Sequence, residues 1–192
     1  MDAFLGIPVG LALSTAAGLR VFVPLLLTGL AARAGYLSLT PSMTWMASNA
    51  ALVAFGTATV LEVAAYYVPW LDNLLDTIAT PAAVTAGVIA TAAVTPDLSP
   101  LVRWTLAVVA GGGAAGLVQA STALLRLKSS AFTAGVGNPV VATGEIAGSV
   151  ALSALGILAP LVAAGLAIIL LAVVARRASR LLGGKSRPHS AA

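Results

Sequence analysis

Three ionisable residues stand inside apolar runs long enough to cross a bilayer: Arg20, Glu62 and Glu145. A charge at membrane depth is expensive to keep, so each of the three is a candidate site residue. Counted inward from the ends of their runs, Glu62 lies about six residues deep and Glu145 about seven. Both carboxylates therefore belong ~9–10 Å below the same face. Asp72 and Asp76 are four residues apart, with Asn73 between them, so on a helix the two carboxylates share a face and can hold a cation together. Asn138 precedes Pro139, and Thr80 precedes Pro81. Each pair has the chemistry of a helix start, an acceptor side chain followed by a residue with no N–H to lose. A helix that starts inside a membrane aims partial positive charge at its surroundings, and transporters hold anionic groups at such ends.

These residues admit two uses. In the first, Glu62, Glu145, Asp72 and Asp76 take up protons or a cation, while Arg20 and the helix starts meet an anionic group. In the second, Arg20 pairs with Glu62 or Glu145 only to fix helix packing, and the two aspartates belong to a solvated interfacial loop. The rest of the chain narrows the chemistry. It has no cysteine, which excludes disulfides and zinc–thiolate sites, and its one histidine, His189, lies in a polar tail. No Ser/His/Asp arrangement and no metal set can be assembled at membrane depth, so an enzyme is not expected, nor any cofactor. Gly111 to Gly116 is glycine-rich but lacks the strand and the Lys-Ser/Thr of a phosphate loop; Gly112 and Gly116 are spaced for close helix packing instead.

The elements that must position these residues are helices. Of the 192 residues, 59% are hydrophobic and 8% charged, with a mean hydropathy of +1.03. That composition belongs to an integral membrane protein. A ~30 Å hydrocarbon core needs ~20 helical residues per crossing. This length rule divides the chain into about six segments near 4–33, 46–68, 79–95, 101–125, 139–156 and 159–177. Pro24 is expected to kink the first. Arg33 to Met43 reads as an aqueous loop, Pro96 to Pro100 as a tight turn, and Gly156 to Pro160 as the only means of turning between the last two spans. Trp45, Trp70 and Trp104 fall near span ends, where indole rings anchor at the interface.

The fold expected is therefore an all-α membrane protein of about six transmembrane helices, some broken or re-entrant. Residues 1–180 form one transmembrane domain, and 181–192 a basic polar tail. Local similarity of Thr80–Gly87 to Asn138–Glu145, and of Ala16–Leu19 to Ala114–Leu117, makes a 3+3 inverted repeat one reading. With both termini cytoplasmic, that side receives Arg126, Lys128, Arg176, Arg177, Arg180, Lys185 and Arg187, against only Arg33 and Arg103 outside. The net charge of +4 then serves orientation and contact with anionic lipid rather than nucleic acid.

Three stretches carry a family likeness. Gly18-Leu19-Arg20-Val21-Phe22-Val23-Pro24-Leu25-Leu26, Leu61-Glu62-Val63 with Pro69 and Asp72-Asn73-Leu74-Leu75-Asp76-Thr77, and Gly135-Val136-Gly137-Asn138-Pro139 with Glu145 stand in order along nearly the whole chain. Together they resemble the bacterial membrane family catalogued as domain of unknown function 4126. The resemblance implies a multi-span membrane fold and no activity. The chain departs from that pattern where Tyr66 and Tyr67 replace an Asp-Lys pair, and where Ala83 and Val84 replace an Arg-Pro pair. The residues themselves point to a small secondary transporter or lipid-carrier translocase, and the resemblance implies that it lies in a bacterial cytoplasmic membrane. A membrane scaffold or assembly protein is the alternative, with an ion channel third. The expected partners are membrane lipids and a second copy of the chain through small-residue helix faces.

Overall fold

A computed structural model describes residues 3–65, 67, 69–133 and 136–183; side chains are described for these except at positions 3, 69–77 and 181–183. All the regular secondary structure among the described residues is helical, with no strand. In order they are α1 (Ala3–Ala17), α2 (Phe22–Arg33), a 3-10 segment (Pro41–Ala47), α3 (Asn49–Ala65), α4 (Pro69–Ala93), α5 (Pro100–Leu106), a π segment (Ala107–Gly112), α6 (Gly113–Thr133), α7 (Asn138–Leu158) and α8 (Pro160–Gly183). The continuous stretch Pro100–Thr133, α7 and α8 are each long and apolar enough to cross a membrane, and the 3-10 segment with α3, bent by 63°, makes a fourth if taken as one unit. Exposed Val53, Val60, Leu101, Val109, Leu158 and Ile169 cover the outer faces, as a lipid-facing surface requires.

α1 is the central element. Val9, Ala12, Leu13, Ser14, Thr15, Ala16 and Ala17 are all fully buried, so the C-terminal half of this helix is enclosed on every side, by α4, α6, α7 and α8, while Phe4 and Ile7 nearer its start are exposed. Small residues permit that. A Cβ on Gly6 would lie 2.5 Å from the Val94 carbonyl oxygen, and one on Gly18 would lie 2.5 Å from that of Ala115. These are backbone contacts that no side-chain rotation can relieve, so Gly18→Val should destabilise the fold by about 1–3 kcal/mol or more. Chemical denaturation of the purified protein in detergent measures this; a variant as stable as the parent would show that the α1–α6 contact is looser than described.

The expected crossing over 4–33 is not one helix. α1 and α2 are interrupted at Gly18–Val21, and the two ends of the unit come back to the same place. Gly6 packs on Val94 and Thr95, and Thr40 donates its N–H to the Ala93 carbonyl at 2.8 Å, both at the C-terminal end of α4. The pair is a helical hairpin with its tip at Arg20. Pro24 is not the kink: it sits in the first turn of α2, where its missing N–H costs nothing. α3 runs antiparallel to α2, with Asn49 accepting a hydrogen bond from Arg33 at one end and Glu62 reaching Val21 and Phe22 at the other.

Three other boundaries differ from expectation. α4 begins at Pro69 and runs unbroken through Pro81, so Thr80 caps nothing; a proline inside a packed membrane helix is tolerated because neighbours re-satisfy the freed carbonyl. Asn138 is the first residue of α7 rather than a cap outside it: Gly137 holds the cap position, and the Asn138 side chain donates to Ser130 Oγ at 3.0 Å. Helix runs from Pro100 to Thr133, well past the expected end at 125. The motifs that suggested a repeat consequently sit in unlike settings, one proline inside α4 and the other opening α7, one Ala-Ala-Gly-Leu at a helix break and the other within α6. The splits at Pro96–Pro100 and at Ala159–Pro160 fall where the sequence puts them.

Candidate functional site

The hairpin tip is where the buried charges meet. A chain reversal exposes the last carbonyls of α1 and the first N–H groups of α2, and inside a membrane protein each needs a partner. Glu62, on α3, supplies the second set: Oε1 accepts the Val21 N–H at 2.8 Å and Oε2 the Phe22 N–H at 3.1 Å. Its carboxylate therefore caps α2 and meets the positive end of the helix dipole. Ser149, on α7, supplies the first: its Oγ donates to the Ala16 carbonyl at 3.0 Å. The Leu19 and Arg20 N–H groups close onto the same carbonyl, each at 3.0 Å.

Arg20 is thereby turned into the protein, with 1% of its surface exposed. One of its amino groups, Nη2, lies 3.0 Å from Glu145 Oε2 and donates to the Ala142 carbonyl at 3.0 Å. Glu145 also receives Arg126 from α6 in fork fashion, Nε to Oε1 at 3.2 Å and Nη2 to Oε2 at 2.9 Å. Bidentate geometry of this kind is the strongest carboxylate–guanidinium arrangement. Two arginines from two elements thus converge on one carboxylate, with Glu62 joined to them through the backbone next to Arg20. The residues that build this centre follow helical spacing: Asn138, Ala142, Glu145, Ser149, Leu152, Ser153 and Gly156 line the buried face of α7, and Val118, Gln119, Thr122 and Arg126 that of α6.

Of the residues singled out in the sequence, Arg20, Glu62 and Glu145 come together here. Asn138 lies on the same face of α7, two turns from Glu145, and binds Ser130 rather than standing as an isolated helix start. Asp72, Asn73 and Asp76 belong to the opening turns of α4, and their side chains lie outside the described residues; Tyr66 lies outside them as well. Arg126, which the sequence counts among the cytoplasmic cations, is instead inside, 1% exposed. The signal that could have found it is spacing: Ala115, Gln119, Thr122 and Arg126 recur at intervals of four, three and four. The Gly112 and Gly116 face is used within the chain, against Val84 and Val88 of α4. Among the described residues no three His, Asp or Glu side chains gather as metal ligands would.

The model of the family described as Domain of unknown function (DUF4126) matches residues 7–180, which include every element of this centre. The chain belongs to the DUF4126 family. No curated protein and no solved structure matches it. In this DUF4126 chain the charged residues Arg20, Glu62 and Glu145 of the three stretches meet at the tip: the first stretch carries Arg20, the second the Glu62 cap, and the third ends on Glu145.

Proposed function

We propose that this DUF4126 protein is a small secondary transporter or lipid-carrier translocase of the bacterial cytoplasmic membrane, working at the tip of the α1–α2 hairpin. The observation behind this reading is the tip itself: a helix broken at membrane depth, its positive end on Glu62, and two buried arginines sharing Glu145. Buried ion pairs seldom stabilise a fold more than apolar residues of the same volume would, so a centre with this many charges argues for use as well as for packing. Arg20, Arg126 and the start of α2 are the groups that hold an anionic solute or headgroup. Glu62 and Glu145 occupy those donors in the closed state and release them when substrate or protons arrive. Asp72, Asn73, Asp76 and Asn138, on the first turns of α4 and α7, stand at the approach. The second reading, a scaffold with structural charges, draws support from the complete engagement of both carboxylates.

The hairpin also changes the topology we propose. α1 and α2 enter and leave on one side, leaving five crossings: α3, α4, the α5–α6 stretch, α7 and α8. With Arg126 inside the protein, the side where α6 and α8 end keeps Lys128, Arg176, Arg177 and Arg180, with Lys185 and Arg187 following in the sequence, while the other side keeps Arg33 and Arg103. The end of α8 is therefore cytoplasmic. The beginning of α1 and the loop at Ser38 face outward, so the start of α1 and the end of α8 lie on opposite sides rather than both inside.

A chain without cysteine allows both points to be tested by single substitutions. In oriented vesicles, cysteine at Ser38 should react with an impermeant thiol reagent from the outer side only. Reaction from the cytoplasmic side only would reverse the orientation. Cysteine at Ser149, which is fully buried beside the tip, should react slowly from both sides if the centre opens alternately. Complete protection over hours from either side would favour the scaffold.

A further inference from the structure

The geometry points to an anionic-phospholipid site on the cytoplasmic rim where α6 and α8 end. From Pro160, α8 has risen ~24 Å at Arg176 and ~30 Å at Arg180, the full depth of a hydrocarbon core. Arg176, Arg177 and Arg180 are exposed, and Arg176 and Arg180 are stacked one turn apart on one face. α7 returns the chain between them, so α6 and α8 run in the same direction and pack against each other. The end of α6 adds exposed Lys128 to the same rim.

Below the rim lies an apolar face that none of the described residues covers: Leu124, Leu125 and Leu127 on α6, and Ile168, Ile169 and Val173 on α8, are all exposed. Cations at headgroup height above such a surface complement a lipid that carries negative charge over two acyl chains. Soluble phosphate would use only the upper half. Charge compensation from the protein is not evident among the described residues: Glu62 and Glu145 are buried at the hairpin tip, and exposed Asp97 is at the opposite end, in the turn after α4. α4, whose first turns carry Asp72 and Asp76, packs on α1, α2, α3, α5 and α6 and is not a principal neighbour of α8.

This site does not depend on the transport reading. The test uses the full chain, delipidated in neutral detergent and titrated with phosphatidylglycerol, phosphatidylcholine or soluble glycerol 3-phosphate. Lipid retention is followed by native mass spectrometry and by thermal stability. Phosphatidylglycerol should be retained in preference to phosphatidylcholine, and glycerol 3-phosphate should have no effect. Each arginine should contribute roughly fivefold, so Arg176→Gln with Arg177→Gln and Arg180→Gln should weaken phosphatidylglycerol binding on the order of a hundredfold. Lysine at all three positions should retain the preference, which separates lost charge from damaged folding. Equal retention of the two lipids, an unchanged preference in the glutamine variant, or full stabilisation by glycerol 3-phosphate would each overturn the assignment.

Discussion

Replacing Glu145 with alanine is expected to destabilise the protein by about 3–5 kcal/mol, because it leaves Arg20 and Arg126 facing each other in the interior with their shared carboxylate gone. Removing one partner of a buried pair costs far more than the pair contributes in its favour, since the remaining charge keeps its desolvation penalty. Arg126→Met alone should cost less, as Glu145 retains Arg20 at 3.0 Å. Adding Arg126→Met to Glu145→Ala should recover part of the loss by removing one of the two stranded charges. Denaturation of the purified variants in detergent measures all three. If Glu145→Ala unfolds at the same denaturant concentration as the parent, the two arginines are not held as described and the site loses its centre.

Glu62 yields the second large effect by a different route. Its carboxylate accepts two backbone N–H groups at the start of α2, and without it both are buried with no acceptor. An unsatisfied buried donor costs about 1–3 kcal/mol, so Glu62→Ala should lose up to twice that, while Glu62→Gln keeps one acceptor oxygen and should lose about half as much. The damage should be local before it is global. Hydrogen exchange at Val21 and Phe22 should speed up in Glu62→Ala well ahead of exchange in α7 and α8, because the hairpin tip opens while the outer helices remain packed. Unchanged protection at Val21 and Phe22 would mean that the cap contributes nothing to holding the tip. Such a result would also remove the latch on which the transport reading depends.

Composition and the lengths of the apolar runs gave an all-helical chain with helices long and apolar enough to cross a membrane, and prolines with short turns determined where several helices begin: Pro100, Pro139 within the first turn of α7, and Pro160. The depth rule gave Glu62 and Glu145 a common level; in the structure Glu62 meets the Val21 and Phe22 N–H groups and Glu145 meets Arg20. These features are local. A capping sequence, a missing N–H or a run of apolar residues acts within a turn or two of itself, so it can be read without knowing what packs against it.

Only the tertiary structure decided the hairpin and the place of Arg126. Residues 4–33 have the length and hydropathy of a crossing, and nothing within them announces a reversal at Gly18–Val21. The backbone groups freed there are satisfied from Glu62, 41 residues from Val21, and from Ser149, 133 residues from Ala16. Arg126 likewise stands at the end of an apolar run, where a cation normally meets water, until α7 brings Glu145 against it from 19 residues away. Pro81 has the local chemistry of a helix start, yet α4 passes through it, since burying its small-residue face against α1 and α6 outweighs the loss of a single hydrogen bond. In a membrane interior every polar group must find a partner, and where the partner lies far along the chain, folding alone determines what the residue does.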